Sequence, residues 1–80
     1  MVTAAKIKQA SKEWQEEDRR NAMNLRILMA GLDVTQEQMA SKLGIAKSTL
    51  NVRLKHPESM TLMELRLIKL YAKENGILLS

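Results

Sequence analysis

Residues that begin and end helices recur along the second half of the chain, and they constrain the fold more than any other feature of the sequence. Two threonines are each followed three positions later by a glutamine or glutamate, which is the spacing of a helix capping box. Glycine, asparagine and proline stand where the apolar periodicity stops, and they end helices or block their continuation. These signals are Thr35 with Gln38, Gly44, Pro57, Thr61 with Glu64, and Asn75 with Gly76. They predict three helices, at about 36–44, 47–55 and 62–75.

An amphipathic segment precedes these three helices. Its apolar residues recur at helical spacing and are Ala22, Leu25, Leu28 and Leu32. They predict a helix from about residue 18 to 32. Residues 4–17 have only a thin apolar edge of Ile7, Ala10 and Trp14, and no helix breaker separates them from the amphipathic segment, so one helix from residue 4 to 32 is an alternative. A monomer of this size could not bury the first half, so we expect that arm to fold back, to pair with another subunit or to fray.

Composition favours an all-α fold. The chain has 80 residues, a length that suits one domain, and it contains one proline, three glycines and two aromatic residues. Leucine, methionine, alanine, lysine and glutamate, which favour helices, are frequent. We therefore predict a compact domain of four to five helices at 18–77, preceded by an N-terminal helical arm at 1–17 and followed by a short apolar tail at 78–80.

Several classes of function have no support in the sequence. Because the chain has no cysteine and one histidine, zinc fingers and thiol nucleophiles are excluded, and no metal site is expected. Paired carboxylates and a nucleotide-binding loop are also missing, so we predict neither enzymatic activity nor a cofactor. The N-terminal residues are too polar for a signal peptide and no run is long enough to cross a bilayer, which predicts a cytoplasmic protein without membrane association.

Positive charge is concentrated in one short segment. The net charge is +4, and residues 46–56 contain three cations and no acid, so three of the four excess charges fall there. Such a segment is either a binding surface for a polyanion or an ordinary solvated helix face, and charge alone does not separate the two.

The outward face of the predicted third helix has the chemistry needed to read duplex DNA. At about 100° per residue, Leu50 and Leu54 mark the inward edge of this helix. The opposite arc and its flanks carry Ser48, Val52, Lys55, Asn51 and Thr49, with Lys47 and Arg53 on the shoulders. Short polar groups and a small apolar group can reach base edges in the major groove, while longer cations can reach phosphates.

The segment "TQEQMASKLGIAKSTL" resembles the helix-turn-helix of the phage-repressor and Cro-like family of transcriptional regulators. Extended through "RLKHPESMTLMELRLI", from about residue 18 to 77, it is similar to small regulators of phages and other mobile elements. The resemblance implies a repressor-like all-α domain that binds a double-stranded DNA operator as a homodimer, with the third helix in the major groove. The chain departs from the family at Ala46, where a capping serine is common, and at Arg53, where an apolar residue is common.

Site residues follow from that resemblance. The expected base contacts are Lys47, Ser48, Asn51 and Val52. The expected backbone contacts are Gln36, Thr49, Arg53 and Lys55. Gln36 has an equal alternative as merely the first residue after a helix cap. The implied role is that of a repressor or Cro-like switch that occupies its operator.

Apolar residues that one small domain cannot easily bury predict a dimer. On the fourth helix the inward stripe is Leu62, Leu65, Ile68 and Ala72. Beside it lie Met63, Leu67 and Leu70, and the tail adds Ile77, Leu78 and Leu79. We predict a homodimer contact through this second stripe and tail, with the arm around Trp14 as the competing interface. An alternative function for the same surfaces is that of an antitoxin-like or adaptor module that binds a partner protein.

Overall fold

Four α-helices form the regular structure of residues 4–80, the part of the chain that the computed structural model describes; side chains are described from residue 11 onward. The helices are α1 (Ala4–Leu32), α2 (Gln36–Leu43), α3 (Lys47–Lys55) and α4 (Leu62–Glu74), with a 3-10 turn at Pro57–Ser59 between the last two. Residues 4–80 contain no strand. The predicted all-α class is confirmed.

Both predicted capping boxes are present and fix where α2 and α4 begin. The hydroxyl of Thr35 accepts from the Gln38 amide at 3.1 Å, and the Gln38 side chain accepts from the Thr35 amide at 2.9 Å. Thr61 and Glu64 make the same reciprocal bonds at 3.1 and 3.0 Å. Gly44 ends α2 with a φ of 71°, the left-handed conformation that glycine adopts at low cost. Local hydrogen bonding therefore sets these boundaries.

The first helix is continuous, which confirms the alternative of one long helix. Its 29 residues account for a length of about 44 Å at 1.5 Å per residue, close to the longest dimension of 45 Å. Burial begins at Ala22, whereas the Trp14 side chain is 63% exposed. Because α1 continues without a break from residue 4 to 32, the arm does not fold back onto the domain. The side chains of Ile7 and Ala10 lie outside the described residues.

The core lies where the second half of α1 meets α2, α3 and α4. Its fully buried side chains are Leu25, Leu28, Met39 and Leu50. They are joined by Ala40, Leu43, Ile68 and Ala72. On α4 the prediction for Leu62 is wrong, because this side chain is 62% exposed and the inward position in that first turn belongs to Glu64.

The apolar tail is part of the domain and does not form a separate segment after residue 77. Ile77 and Leu79 pack against the core, and Ile77 lies so close to Gly31 of α1 that a methyl group there would be 2.7 Å from it. The buried Asn24 side chain accepts from the Ser80 amide at 2.7 Å and donates to the Ser80 carbonyl at 3.4 Å. Leu78 points away and is 91% exposed.

Replacing Asn24 by alanine should loosen this tail and lower the free energy of unfolding by about 1–2 kcal/mol, because two hydrogen bonds to Ser80 are lost. Urea denaturation measures the change, and hydrogen exchange at the Ser80 amide should become faster. Asn21→Ala, one turn earlier in α1 and half-buried, is the matched control and should change stability by less than about 0.5 kcal/mol. Equal effects of the two variants would contradict a role for the Asn24 bonds.

Candidate nucleic-acid interface

The turn between α2 and α3 is closed by backbone hydrogen bonds. The amide of Gly44 donates to the Ser41 carbonyl at 3.1 Å, and the amide of Ile45 donates to the Ala40 carbonyl at 3.0 Å. A Cβ at Gly44 would meet no atom within 4 Å, so the positive φ rather than crowding is the reason for glycine here. Ala46 stands immediately before α3 and provides no side-chain cap, because its methyl group cannot accept a hydrogen bond. The two helices are thus joined by a short turn of fixed geometry.

The third helix presents a polar and cationic ridge to solvent. The residues Lys47, Ser48, Val52 and Lys55 are exposed, and Thr49, Asn51, Arg53 and Leu54 are half-buried. Leu50 is fully buried and lies on the opposite side of the helix. Three of the four expected base contacts therefore lie on the open face. The fourth, Asn51, lies on its shoulder.

Arg53 is held inside the fold by Glu64. Its Nε donates to Glu64 Oε1 at 2.8 Å and its Nη2 to Oε2 at 3.4 Å. The Arg53 side chain is 19% exposed and that of Glu64 is 6% exposed. If Arg53 turned outward to a phosphate, the buried carboxylate would lose its charge partner, which is costly. We therefore correct the expectation for Arg53 and leave it out of the backbone contacts.

This pairing changes the charge of the α3 surface. Because Arg53 is neutralised by Glu64, the exposed positive charge of α3 comes from Lys47 and Lys55. Neither lysine makes an ion pair with the acids of residues 11–80, and the nearby Glu58 carboxylate lies 3.3 Å from His56 Nδ1. The ridge is therefore cationic, although less so than the sequence alone suggests.

The remaining expected backbone contacts, Gln36 and Thr49, are both only partly accessible. Gln36 is the first residue of α2 and is half-buried, and Thr49 is half-buried in the first turn of α3. The side chain of Gln36 makes no hydrogen bond to another described residue, so it is available to a ligand. A phosphate contact by Gln36 stays a prediction.

A groove that was not predicted from the sequence lies beside the end of α3. It encloses about 440 Å³ between α1 and the α3 C-terminus. It is lined by Arg19, Ala22, Met23, Arg26, Leu54, Lys55 and Pro57. Three of these residues are cationic and none is acidic. The spacing of Arg19 and Arg26, seven residues or two helical turns, was the available signal that they share one face of α1.

The residues predicted at a dimer interface differ in their exposure. Met63 is 63% exposed and Leu70 is 46% exposed on α4, and Trp14 is exposed on α1. Leu67 is half-buried against the core, as are Ile77 and Leu79 of the tail. The second stripe on α4 is therefore interrupted, because its central leucine already has partners within the chain.

Comparison of this chain with models of protein families, with curated proteins and with solved structures finds no match in any of the three. Within residues 4–80, none of the helices has both the length and the apolar character that a bilayer crossing requires.

Proposed function

We propose that the protein binds double-stranded DNA with sequence specificity by placing α3 in the major groove. The observation that carries this proposal is the exposed ridge of Lys47, Ser48, Val52 and Lys55 on α3. On the opposite side of the same helix, Leu50 is buried in the core. An α-helix fits the major groove, and reading a sequence there requires side chains at base-edge depth. The ridge supplies a cation, a hydroxyl and a small apolar group on one face.

Each of the four expected base-contact side chains has a suitable partner on a base. Lys47 can donate to the N7 and O6 acceptors of guanine, and Asn51 can make paired hydrogen bonds to adenine. Val52 can pack against the methyl group of thymine, and the Ser48 hydroxyl can donate or accept. Lys55, Thr49 and Gln36 are the side chains that would bind phosphates. The phosphate contacts would fix the position of α3 on the duplex, whereas the base contacts would determine which DNA sequence is bound.

We infer that the biological role is transcriptional regulation in the cytoplasm by occupying an operator, as a repressor or Cro-like switch of a phage or mobile element. The resemblance of "TQEQMASKLGIAKSTL" to that family supports this role. Family members bind as homodimers, so two copies of α3 would enter successive major grooves. Selection from a random duplex pool tests the proposal. A palindrome with half-sites about one helical turn apart is expected, and no enrichment at all would refute specific binding.

Replacing Lys47 or Asn51 by alanine should weaken binding to the selected duplex by about 1–3 kcal/mol each, or roughly 5- to 150-fold in Kd, because each removes a base contact. The measurement is a fluorescence-anisotropy titration with the selected duplex and with a scrambled one. Lys73→Ala removes an exposed cation from α4 instead of α3 and is the matched control.

The expected pattern distinguishes base contacts from general charge. Lys47→Ala and Asn51→Ala should lower affinity for the selected duplex more than for the scrambled one. Lys55→Ala should weaken both equally and reduce the slope of log K against log salt by about 0.9. Equal losses on both duplexes for all three variants would assign the ridge to phosphate binding alone.

A protein-interaction module is the second candidate function, and the exposed apolar side chains of α4 favour it. Leu62, Met63 and Leu70 lie outside the core on the helix that comes after the DNA-binding segment. A double variant, Met63→Ser with Leu70→Ser, should leave DNA affinity unchanged if this surface binds a separate partner. A loss of DNA affinity equal to that of Lys47→Ala would instead tie α4 to operator binding.

A further inference from the structure

The groove between α1 and the end of α3 is lined by cations that no acid neutralises. Arg19, Arg26 and Lys55 all contribute to its lining, and all three are exposed. None of them forms an ion pair with an acid of residues 11–80. The stretch of α1 from residue 19 to 32 contains no acid at all. This surface, which we call the cationic groove, therefore carries uncompensated positive charge.

The four residues that α1 contributes to the cationic groove share one face of this helix. They follow the spacing i, i+3, i+4 and i+7, and they are Arg19, Ala22, Met23 and Arg26. At 1.5 Å per residue, the two arginines are about 10 Å apart along the helix axis. One strand of B-DNA carries a phosphate for about every 3.4 Å of its axis. The two guanidinium groups can therefore meet different phosphates of one strand.

The rest of the lining is apolar. Met23 is 52% exposed, and Leu54 and Pro57 are half-buried. A ligand that fills the cationic groove therefore needs apolar surface beside its negative charges. The backbone of DNA has both, because each phosphate is joined to a deoxyribose whose C–H groups can pack against apolar side chains.

The cationic groove continues the side of α3 that is expected to read bases. Lys47, Asn51 and Leu54 are spaced by four and three residues, which places them along one side of the helix. Lys55 follows Asn51 by four residues and lies on the same side. Leu54 and Lys55 also line the groove. A duplex that lies along Lys47 and Asn51 therefore reaches the groove at the C-terminal end of α3.

We propose that the cationic groove is a second DNA-binding surface, which takes the sugar–phosphate backbone beside the base pairs that α3 reads. Arg19 and Arg26 bind phosphates of this backbone, Lys55 binds the phosphate nearest to α3, and Met23 packs against a deoxyribose. Phosphate and sugar contacts fix the register of a protein on the duplex but carry no sequence information directly. The groove thus adds affinity and fixes α1 on the duplex without changing which sequence is preferred.

This inference rests on the proposed function, and the salt dependence of binding tests it separately. Arg26→Ala should raise Kd for the selected and the scrambled duplex alike, by roughly fivefold, because one phosphate contact is lost. The slope of log K against log salt should fall by about 0.9, and by about 1.8 when Arg19→Ala is added. Arg20→Ala is the matched control, because it removes an exposed arginine of α1 that does not line the groove. It should leave Kd and the slope close to their wild-type values.

Three further variants show whether the charge inside the groove is responsible. Arg26→Lys keeps the cation and should retain the wild-type salt slope. Met23→Glu places an acid in the groove without removing a cation, so it should weaken binding to both duplexes at least about tenfold. Met23→Gln, which is neutral and of similar length, should stay within about threefold of the wild type. Because these side chains are exposed, helix content and the urea midpoint should not change.

Cleavage of the duplex tests the position of the groove directly. The chain has no cysteine, so Met23→Cys supplies its only thiol, to which an iron chelate that generates hydroxyl radicals can be attached. We expect this protein to cut the backbone next to the bound site. Trp14→Cys is the control, because it lies nine residues earlier and projects from the opposite face of α1. It should cut the duplex much less, and equal cutting from both positions would contradict the proposed placement of α1.

Comparison with the α3 variants separates failure of this inference from failure of the proposed function. If Lys47→Ala and Asn51→Ala lose specific binding but Arg26→Ala behaves like Arg20→Ala, the groove is not a DNA surface although α3 is. A wild-type chain that binds neither duplex would refute both proposals. If Arg26→Ala keeps the wild-type salt slope but changes sedimentation of the protein without DNA, the groove binds a second copy of the chain and the inference is overturned.

Discussion

Replacing Arg53 by methionine should lower the free energy of unfolding by about 3–5 kcal/mol, because it leaves the buried Glu64 carboxylate without its charge partner. Methionine keeps most of the volume of the arginine stem, so the loss reports the ion pair more than packing. Domains of 80 residues have a total stability of about 4–12 kcal/mol, so this one change should leave the fold marginal.

The effect is large because Glu64 has two structural tasks. Its Oε1 accepts from the Thr61 amide at 3.0 Å, which caps α4, and from Arg53 Nε at 2.8 Å, which attaches α3 to the start of α4. The carboxylate is almost fully buried, so water cannot replace the guanidinium. Losing Arg53 therefore weakens the link that fixes the rotation of α3.

Urea denaturation of three variants separates the ion pair from general charge. Lys55→Met removes an exposed cation from the same helix and should change stability by less than about 0.5 kcal/mol. Adding Glu64→Gln to Arg53→Met should recover a large part of the loss, because the neutral amide can still cap α4 and carries no unpaired charge. If Arg53→Met is as mild as Lys55→Met, the ion pair does not stabilise the domain.

Helix boundaries could be predicted from the sequence because they depend on residues close together in the chain. Each capping box joins residues three apart, and the glycine stop depends on one backbone conformation. Residues at helical spacing in α1, from Ala22 to Leu28, are buried as expected for the same reason. Local chemistry thus accounts for where α2 and α4 begin and where α2 ends.

The contacts that could not be predicted from the sequence join residues far apart in the chain. Arg53 was expected at a phosphate because its partner, Glu64, lies eleven residues later and was recognised only as a capping residue. The tail was expected to contact a second copy of the chain, because its contact with Asn24 spans 56 residues and could not be read from the sequence. Periodicity shows which face of a helix is apolar, but it does not show which distant segment covers that face.

The same reasoning explains why the exposure of the α3 side chains was predicted better than that of the α4 and tail side chains. The ridge of α3 depends on one helix and on Leu50 pointing inward, and helical geometry gives both. A dimer surface, in contrast, consists of side chains that remain exposed after all helices have packed. Of the six residues predicted on α4 and the tail, Leu67, Ile77 and Leu79 pack against the core of the chain itself. Only the assembled structure shows that Met63, Leu70 and Leu78 remain outside.

Replacing Leu50 by alanine should lower the free energy of unfolding by about 2–5 kcal/mol. Leu50 is 0% exposed and is the one fully buried side chain of α3, a helix that the structure describes throughout. Truncation leaves a cavity where α3 meets the core, in addition to the lost burial of three carbon atoms. Because Leu50 and the Arg53–Glu64 pair both attach α3, its loss also frees the helix to tilt.

Val52→Ala is the matched control for Leu50→Ala and should produce the opposite pattern. Val52 is 45% exposed on the ridge, so its truncation should change stability by less than about 0.5 kcal/mol. It should nevertheless weaken binding to the selected duplex by about 1 kcal/mol, because methyl groups that would contact thymine are lost. Leu50→Ala, measured where the protein remains folded, should bind selected and scrambled duplexes with similar weak affinity. If Val52→Ala destabilised the fold and left binding intact, the ridge would be facing the core and not the DNA.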